Sequence, residues 1–213
     1  MKNIVILLCL QCFALQCFAK SEWRIEREGD GATGSCKIHK SGYKYCKIEK
    51  EMAFSLKELA AINTDAGYLA SWMETAIHSE QIEKVSDTNY VNYLQYDIPY
   101  PFRDRDSATR TIITQDEKTK TVMMEFKTDN SLKNQSIEFE PMEFIFGYWK
   151  FIPLSESVSK VEYAVLVLPG GNLHSVLFNP SAVDVPWITV ENMEKELLSG
   201  KYRESKIDFI DNY

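Results

Sequence analysis

The chain has 213 residues, 45% of them hydrophobic, and carries a net charge of −7 from 24 basic and 31 acidic side chains. This length suits one domain with a sizeable core. The charges are spread singly rather than gathered in a basic stripe, which argues against nucleic acid as a partner and against standing adsorption to anionic membranes. A neutral apolar mouth could still contact a bilayer transiently.

The first 19 residues have the pattern of a secretory leader. Lys2 precedes an apolar run from Ile4 to Ala19, and no acidic residue occurs before Glu22. The run is shorter than the roughly 20 residues that a helix needs to cross a bilayer. We therefore expect cleavage after Ala19 and export, with a bacterial periplasm as the compartment. The alternatives are a retained membrane anchor, a buried core helix or a lipid-anchored leader.

The next part of the chain is predicted to form strands and then helices. Three short strands are expected over residues 23–28, 34–39 and 43–52. A helix follows, because Ser55 and Glu58 have the spacing of a capping box and apolar residues continue at helical intervals. A second short helix is predicted over residues 65–73.

The remainder is predicted to form strands closed by a helical segment. Turn residues separate expected strands over residues 81–84, 90–97, 108–115, 121–127, 142–152 and 158–168. Apolar residues recur at helical spacing over 173–198, where Pro180 and Pro186 should bend or interrupt the helix. A curled antiparallel sheet covered by one late helix is a two-layer α+β domain. We expect this domain over residues 20–200, followed by a polar tail over 201–213.

Two cysteines, Cys36 and Cys46, remain once the leader is removed. Ser41-Gly42 between them is a turn signal, and a hairpin centred near Ser41 would place the two thiols opposite each other. In an oxidising compartment this arrangement favours a disulfide. The alternative is a metal site with His39 as a third ligand, although no fourth ligand lies nearby in the sequence.

Several local sequences occur in an order that resembles one family. They are residues 23–31, Asp65 with Trp72, residues 100–106 where a proline precedes Arg-Asp, the Gly-x-Trp strand 147–153, Pro169-Gly170-Gly171, Asn179, Pro186 and residues 189–193. In this order they resemble the START (steroidogenic acute regulatory protein-related lipid transfer) domain over almost the whole mature chain. Two differences are Ser107, where the family often has an aromatic residue, and the cysteine pair.

The resemblance implies a helix-grip fold, in which a curved antiparallel sheet wraps around a long C-terminal helix and encloses a hydrophobic cavity. It also implies binding and transfer of a lipid or other small hydrophobic ligand, with the C-terminal helix as a gate hinged at Gly170-Gly171. We expect a monomer with no cofactor, no metal and no catalytic residue. The alternatives are a helix-grip enzyme of cyclase or hydrolase type, or an envelope protein-interaction module.

The candidate cavity residues come from strand faces and from the late helix. Tyr90, Asn92 and Tyr96 alternate on one strand and offer polar groups to a ligand, and Arg110 follows on the next strand. The remaining candidates are the wall residues Met124, Phe126, Phe144, Phe146, Tyr163 and Val165 and the gate residues Leu177, Phe178, Trp187 and Val190. For each of them the alternative is a structural role in a solid core, and for Arg110 it is an ion pair with a carboxylate.

Overall fold

A computed structural model describes residues 22–132 and 138–212. The predicted leader, residues 1–19, lies outside the described residues. The described chain opens with an antiparallel meander of β1 (Arg24–Gly29), β2 (Ala32–Ile38) and β3 (Lys44–Met52). The two residues between β1 and β2 have positive φ angles of 48° and 73°, as a tight hairpin turn requires.

The β2–β3 hairpin carries the disulfide. Cys36 lies directly opposite Cys46, their Cα atoms are 4.1 Å apart, and their sulfur atoms are bonded. Both cysteines are buried. The structure therefore contains the predicted hairpin and disulfide, and this bond uses both thiols that the alternative metal site would need.

A capped helix follows the meander. α1 (Leu56–Thr64) begins after Ser55, whose hydroxyl accepts a hydrogen bond from the Glu58 backbone N–H, while the Glu58 carboxylate accepts one from the Ser55 backbone N–H. This is the predicted capping box, and it satisfies two N–H groups that the helix itself cannot pair. A 3₁₀-helix (Ala66–Ser71) occupies the place of the second predicted helix.

The remaining strands complete the sheet. They are β4 (Ala76–Ser86), β5 (Asn89–Tyr96), β6 (Arg105–Gln115), β7 (Val122–Thr128), the two-residue β8 (Glu140–Pro141), β9 (Phe144–Ser155) and β10 (Val158–Leu168). β4 is longer than predicted, because its pairing with β5 is interrupted by register shifts that hide the period-two pattern in its sequence.

The ten strands form one curved sheet in the order β1-β2-β3-β10-β9-β7-β6-β5-β4, with β8 paired to β6. All neighbours in the main path are antiparallel, and the short β6–β8 pair is parallel. The predicted helix-grip architecture is thereby confirmed.

The C-terminal segment covers one face of the sheet. It contains α2 (Ser175–Phe178), a 3₁₀-helix (Asn179–Ser181) and α3 (Asp184–Leu198). The break between α2 and α3 was predicted at Pro180, but the expected interruption at Pro186 is wrong. Pro186 is the third residue of α3, where a backbone N–H would lack a helical partner, so proline fits there. Among the described helices, none is long and apolar enough to cross a membrane.

Residues beyond 200 also pack on the domain. Tyr202 and Ile210 are only 5% and 1% exposed. The Gln115 side chain exchanges two hydrogen bonds with the backbone of Asp211, at 2.8 and 2.9 Å. The packed domain thus extends past the expected boundary at residue 200.

Candidate functional site

The curved sheet and the C-terminal helices enclose a cavity of about 510 Å³. This volume lies within the range of about 300–1,000 Å³ that is typical of small-molecule sites. The cavity forms because alternate side chains of β5, β6, β7, β9 and β10 converge on the concave side of the sheet, while residues of α2 and α3 close it from above. Its lining is mainly apolar.

Most of the predicted cavity residues on the strands and on α2 do lie together around this space. They are Tyr90, Asn92 and Tyr96 on β5, Met124 and Phe126 on β7, Tyr163 and Val165 on β10, and Leu177 and Phe178 on α2. On β7 the charged residues Glu125 and Lys127 alternate with Met124 and Phe126, and on β10 Lys160 and Glu162 alternate with Val161 and Tyr163, so the apolar face of each strand meets the cavity.

The predicted inner face of β9 is wrong. Ile145 and Trp149 line the cavity, whereas Phe144 and Phe146 lie on the alternate, half-exposed face. The Phe146 ring is 6.2 Å from the ring of Tyr45 on that outer side. The prediction failed because both faces of β9 are rich in large apolar residues, so its pattern alone does not distinguish them.

Arg110 does not reach the cavity. Thr109 and Thr111, its neighbours on β6, line the cavity, and Arg110 therefore points to the opposite face of the sheet. There its guanidinium donates to Glu83 at 2.7 Å and to Asp129 at 2.8 Å. The ion pair considered as an alternative in the sequence is what the structure contains.

Trp187 and Val190 are buried beside the cavity rather than in its wall. The Trp187 ring packs under the Arg27 guanidinium at 4.4 Å, and its Nε1 donates to Glu191 at 2.7 Å. α3 instead presents Val185 and Thr189, which are one helical turn apart, to the cavity. The adjacent apolar stripe that includes Trp187 and Val190 packs into the core.

An aromatic cluster forms part of the wall. The rings of Trp149 and Tyr163 stack with centroids 3.9 Å apart and planes inclined by 10°, and the Phe126 ring lies 6.3 Å from Tyr163. Gly147 makes this packing possible, since a Cβ atom there would lie 2.2 Å from the Ala164 carbonyl oxygen and 2.6 Å from the Phe126 ring. These steric clashes explain why the Gly-x-Trp sequence has a glycine at position 147.

Four buried polar residues form a patch on β5 and β6. Tyr90 lies opposite Thr111 and Asn92 lies opposite Thr109, and all four line the cavity. We call Tyr90, Asn92, Thr109 and Thr111 the polar patch. Burial raises the pKa of Tyr90 above the usual range for a phenol and that of Tyr96 to about 12, so these hydroxyls stay neutral at physiological pH.

The rim of the cavity is formed by the β5–β6 loop and by α2. Ile98, Pro99 and Phe102 of the loop line the cavity together with Leu177, and because Pro99 and Leu177 are exposed, the cavity opens to solvent here. Apolar side chains next to the rim point into solvent, with Tyr100 96% and Val176 82% exposed. The opening is therefore bordered by exposed apolar groups.

The segment that covers the cavity, residues 173–185, is tied to the tip of the β2–β3 hairpin. The Asn179 side chain accepts a hydrogen bond from the Lys44 backbone N–H and donates one to the Gly42 carbonyl, both at 2.9 Å. The Tyr43 hydroxyl donates to the Leu173 carbonyl at 2.9 Å. These contacts hold the cover, as we name this segment, against the disulfide-bonded hairpin.

Arg105 fixes the turn from which the cover starts. This guanidinium is 1% exposed, donates to the Pro169 carbonyl at 3.0 Å and pairs with Glu140 at 3.0 Å. Gly170 and Gly171 follow with positive φ angles of 71° and 58°. The Arg-Asp sequence at the start of β6 therefore has a structural role in positioning the turn.

Some lining residues were not predicted. Thr109 and Thr111 could have been found, because they share a face of β6 and pair with Tyr90 and Asn92. The rim loop gave no comparable signal, since its residues follow neither a helical nor a strand period. Asn63 also lines the cavity from α1, where its amide donates to the Leu59 carbonyl at 2.9 Å.

The strand order, the covering helix and the enclosed cavity define a helix-grip domain with the START fold. Among solved structures, the chain is similar to the STAR-related lipid transfer protein of Xanthomonas axonopodis, with 19% identity and a TM-score of 0.76 over 83% of this chain and 98% of that one. It is also similar to human StAR-related lipid transfer protein 5, with 17% identity and a TM-score of 0.75 over 84% and 87% of the two chains.

A more distant solved structure has the same general architecture. The aromatase/cyclase Zhui from Streptomyces sp. R1128 has 12% identity and a TM-score of 0.51 over 76% of this chain and 95% of its own. By sequence, an uncharacterized protein of Pseudomonas aeruginosa is 22% identical over 173 residues, which is 81% of this chain and 85% of that protein. No family model matches the sequence. At these identities the comparisons show the fold.

Proposed function

We propose that this chain binds a lipid or another hydrophobic ligand in its cavity and transfers it between membranes without chemical change. The observation that carries this proposal is the enclosed, mainly apolar cavity of about 510 Å³. Each methylene group moved from water into such a space contributes about 0.8 kcal/mol. The similar structures from Xanthomonas axonopodis and human are named as lipid transfer proteins, which supports the same role here.

The cover is the gate in this proposal. Leu173, Leu177 and Phe178 lie over the cavity, and the glycine pair at 170–171 precedes them with backbone angles that other residues rarely adopt. For the cover to move, the polar contacts to the hairpin tip and the 2.9 Å ion pair between Asp184 and Arg27 must break. Opening of this kind allows ligand exchange without disturbing the sheet.

Export and transient membrane contact complete the proposal. The leader pattern of residues 1–19 and the buried Cys36–Cys46 disulfide both fit an oxidising compartment outside the cytoplasm, for which the periplasm is our proposal. The exposed apolar side chains at the rim would touch a bilayer while the ligand passes. The chain acts as a monomer in this scheme.

The enzyme alternative is favoured less by the chemistry of the cavity. Burial raises the pKa values of Tyr90, Tyr96 and Tyr163, so these phenols hold their protons firmly near neutral pH and suit hydrogen bonding better than proton transfer. The fold itself is compatible with either role. A ligand recovered with its mass unchanged after prolonged incubation would support carriage, and a changed mass would support catalysis.

Native mass spectrometry of the protein purified from its own host tests the proposal. We expect a bound apolar compound that organic extraction releases at about one per chain. Val165→Trp, which projects a large ring into the cavity, should lower the bound fraction at least tenfold. The matched control is Val85→Trp on the exposed edge strand. Absence of any bound compound, or equal loading of both variants, would contradict a ligand-carrying cavity.

A further inference from the structure

The polar patch lies deep inside the cavity rather than at its opening. Its members are buried, with Asn92 4% exposed and Tyr90 2% exposed. β5 runs from this patch toward the rim loop, and Asn92 precedes Tyr96 by four residues, which corresponds to roughly 13 Å along a strand. A ligand that enters at the rim would therefore bring its leading end to the patch.

Asn92 differs from its polar neighbours because its amide oxygen is unpaired. The Tyr90 hydroxyl is hydrogen-bonded to Thr111, and the Thr109 hydroxyl lies 3.2 Å from that of Ser107. The Oδ1 atom of Asn92 has no hydrogen-bond partner among the residues that the structure describes. Leaving a buried amide unpaired is unfavourable. A half-turn of the amide exchanges its acceptor and donor ends, so a ligand group of either kind could pair with it.

The charges around the cavity restrict what that group can be. In the described parts of the chain, no lysine, arginine or histidine lines the cavity, and the charged lining residues are Glu74 and Asp97. Asp97 is exposed and lies at the rim, where β5 ends. An anion at the deep end would lose its hydration without gaining a counter-charge, which is strongly unfavourable.

We propose that the polar patch selects ligands whose buried end carries one uncharged polar group, a hydroxyl or a carbonyl, on an apolar body, and disfavours a carboxylate or phosphate at that end. This inference rests on the proposed ligand-binding function and specifies its ligand class. Asn92 supplies the hydrogen bond, and the hydroxyls of Tyr90 and Thr109 border the same space.

Competition binding with matched twelve-carbon probes tests the selection. The fluorescent reporter N-phenyl-1-naphthylamine would occupy the cavity, and 1-dodecanol, methyl dodecanoate and dodecanoate at pH 8 would displace it. We expect the alcohol and the ester to compete at concentrations at least tenfold lower than the carboxylate. Because an ion is also better hydrated than an alcohol, the variant Asn92→Leu is needed to separate the patch from general hydrophobicity.

Asn92→Leu should weaken the binding of 1-dodecanol and methyl dodecanoate about five- to tenfold, which is the factor for one neutral hydrogen bond. The affinities for the reporter and for dodecanoate should stay unchanged. Its melting temperature should equal or exceed that of the wild type, because an unpaired buried amide is removed. A purely structural Asn92 would give the opposite shift. Asn192→Leu, on α3 outside the cavity lining, is the matched control and should keep the wild-type preferences.

The outcomes separate the two proposals. If the wild type binds the reporter but competes equally well with dodecanoate and dodecanol, or if Asn92→Leu keeps the full preference, the selection is wrong and ligand binding stands. If the wild type fails to bind the reporter and all three probes, the ligand-binding proposal fails and the selection fails with it.

Discussion

Arg110 joins four strands on the outer face of the sheet. Its guanidinium contacts Glu83 on β4, Asn89 on β5 and Asp129 after β7, at 2.7, 3.1 and 2.8 Å. An arginine fits this place because its fork of N–H groups can serve several acceptors at once. The residue that the sequence placed in the cavity therefore stabilises the outer side of the sheet.

Asp129 makes the stability of this corner depend on pH. The Ser131 hydroxyl, followed by the Arg110 guanidinium, holds the pKa of this carboxyl below its ordinary value. A carboxyl with a lower pKa in the folded state stabilises the protein above the pKa of the unfolded chain, about 4, and this contribution is lost as the pH falls through the folded value.

We therefore expect Asp129→Asn to lower the free energy of unfolding at pH 6, and we expect this difference from the wild type to shrink at an acidic pH below about 4, as the carboxyl becomes protonated. Urea unfolding at both pH values measures it. Ser131→Ala removes the first of the two contacts and should give a smaller effect of the same sign. A difference between wild type and Asp129→Asn that stays constant with pH would show that the ionised carboxylate is not the stabilising form.

The Cys36–Cys46 disulfide stabilises the fold by restricting the unfolded chain. It closes a short loop between positions 10 residues apart, for which the chain-entropy estimate is about 2 to 3 kcal/mol. We expect the double variant Cys36→Ser with Cys46→Ser to lose about this much stability in urea unfolding. The wild type measured with a reductant should match it, and wild type unaffected by reductant would argue against a stabilising bond.

At the scale of elements, the sequence specified the strands better than their faces. β10 alternates charged Lys160 and Glu162 with apolar Val161 and Tyr163, so its inner face follows directly from the pattern. β9 carries aromatic residues on both faces, and only Lys150 shares a face with Phe146 to mark it as outer. Large residues on both sides of a strand hide the signal that period-two patterns otherwise give.

The inward face of the covering helix α3 is also hard to predict from the sequence. α3 has apolar residues on more than one stripe, and the sequence does not tell which stripe meets the cavity. Gly34 determines which stripe of α3 packs against the sheet, because the β2 backbone at this glycine allows the close approach of Val183 and Trp187. Val185 and Thr189 are thereby turned to the cavity. Such close contacts between distant segments cannot be predicted from local periodicity.

Gly147→Ala should destabilise the β9–β10 pair. The added Cβ would meet the Ala164 carbonyl oxygen at 2.2 Å and the Phe126 ring at 2.6 Å, so the backbone or the ring must move. Overpacking of this kind costs about 1–3 kcal/mol, which urea unfolding would detect. Gly67→Ala is the matched control, since nothing lies within 4 Å of its Cβ position. Equal stability of the two variants would contradict the steric role of Gly147.

At the scale of the whole molecule, the proposed gate predicts that ligand exchange depends on how firmly the cover is held. The Asn179 side chain makes two backbone hydrogen bonds to the hairpin tip, and both must break when the cover opens. We expect Asn179→Ala to release a bound fluorescent lipid at least about fivefold faster, because two neutral hydrogen bonds are lost and each contributes about 0.5–1.5 kcal/mol. Stopped-flow mixing with acceptor vesicles measures the rate.

The control for the cover is Asn172→Ala, an exposed asparagine near the start of the same segment. Its release rate should equal that of the wild type, and melting temperatures of both variants would show that the sheet is intact. If Asn179→Ala releases lipid at the wild-type rate, the cover does not control exchange.

The proposed membrane contact at the rim depends on the exposed apolar side chains and on the net charge of −7. The acidic charge disfavours anionic bilayers, so contact should be strongest with neutral phosphatidylcholine vesicles. Val176 is 82% exposed beside the opening, and inserting a valine side chain contributes about 1.5 kcal/mol or more.

We expect Val176→Ser to lower partitioning to neutral vesicles by about tenfold, measured by vesicle sedimentation, and to slow lipid transfer while leaving the melting temperature unchanged. Val85→Ser removes a similarly exposed valine from the edge strand β4, and partitioning should stay at the wild-type value. Equal losses in both variants would indicate general surface hydrophobicity, whereas a loss confined to Val176 would locate the contact at the rim, where the proposal places ligand entry.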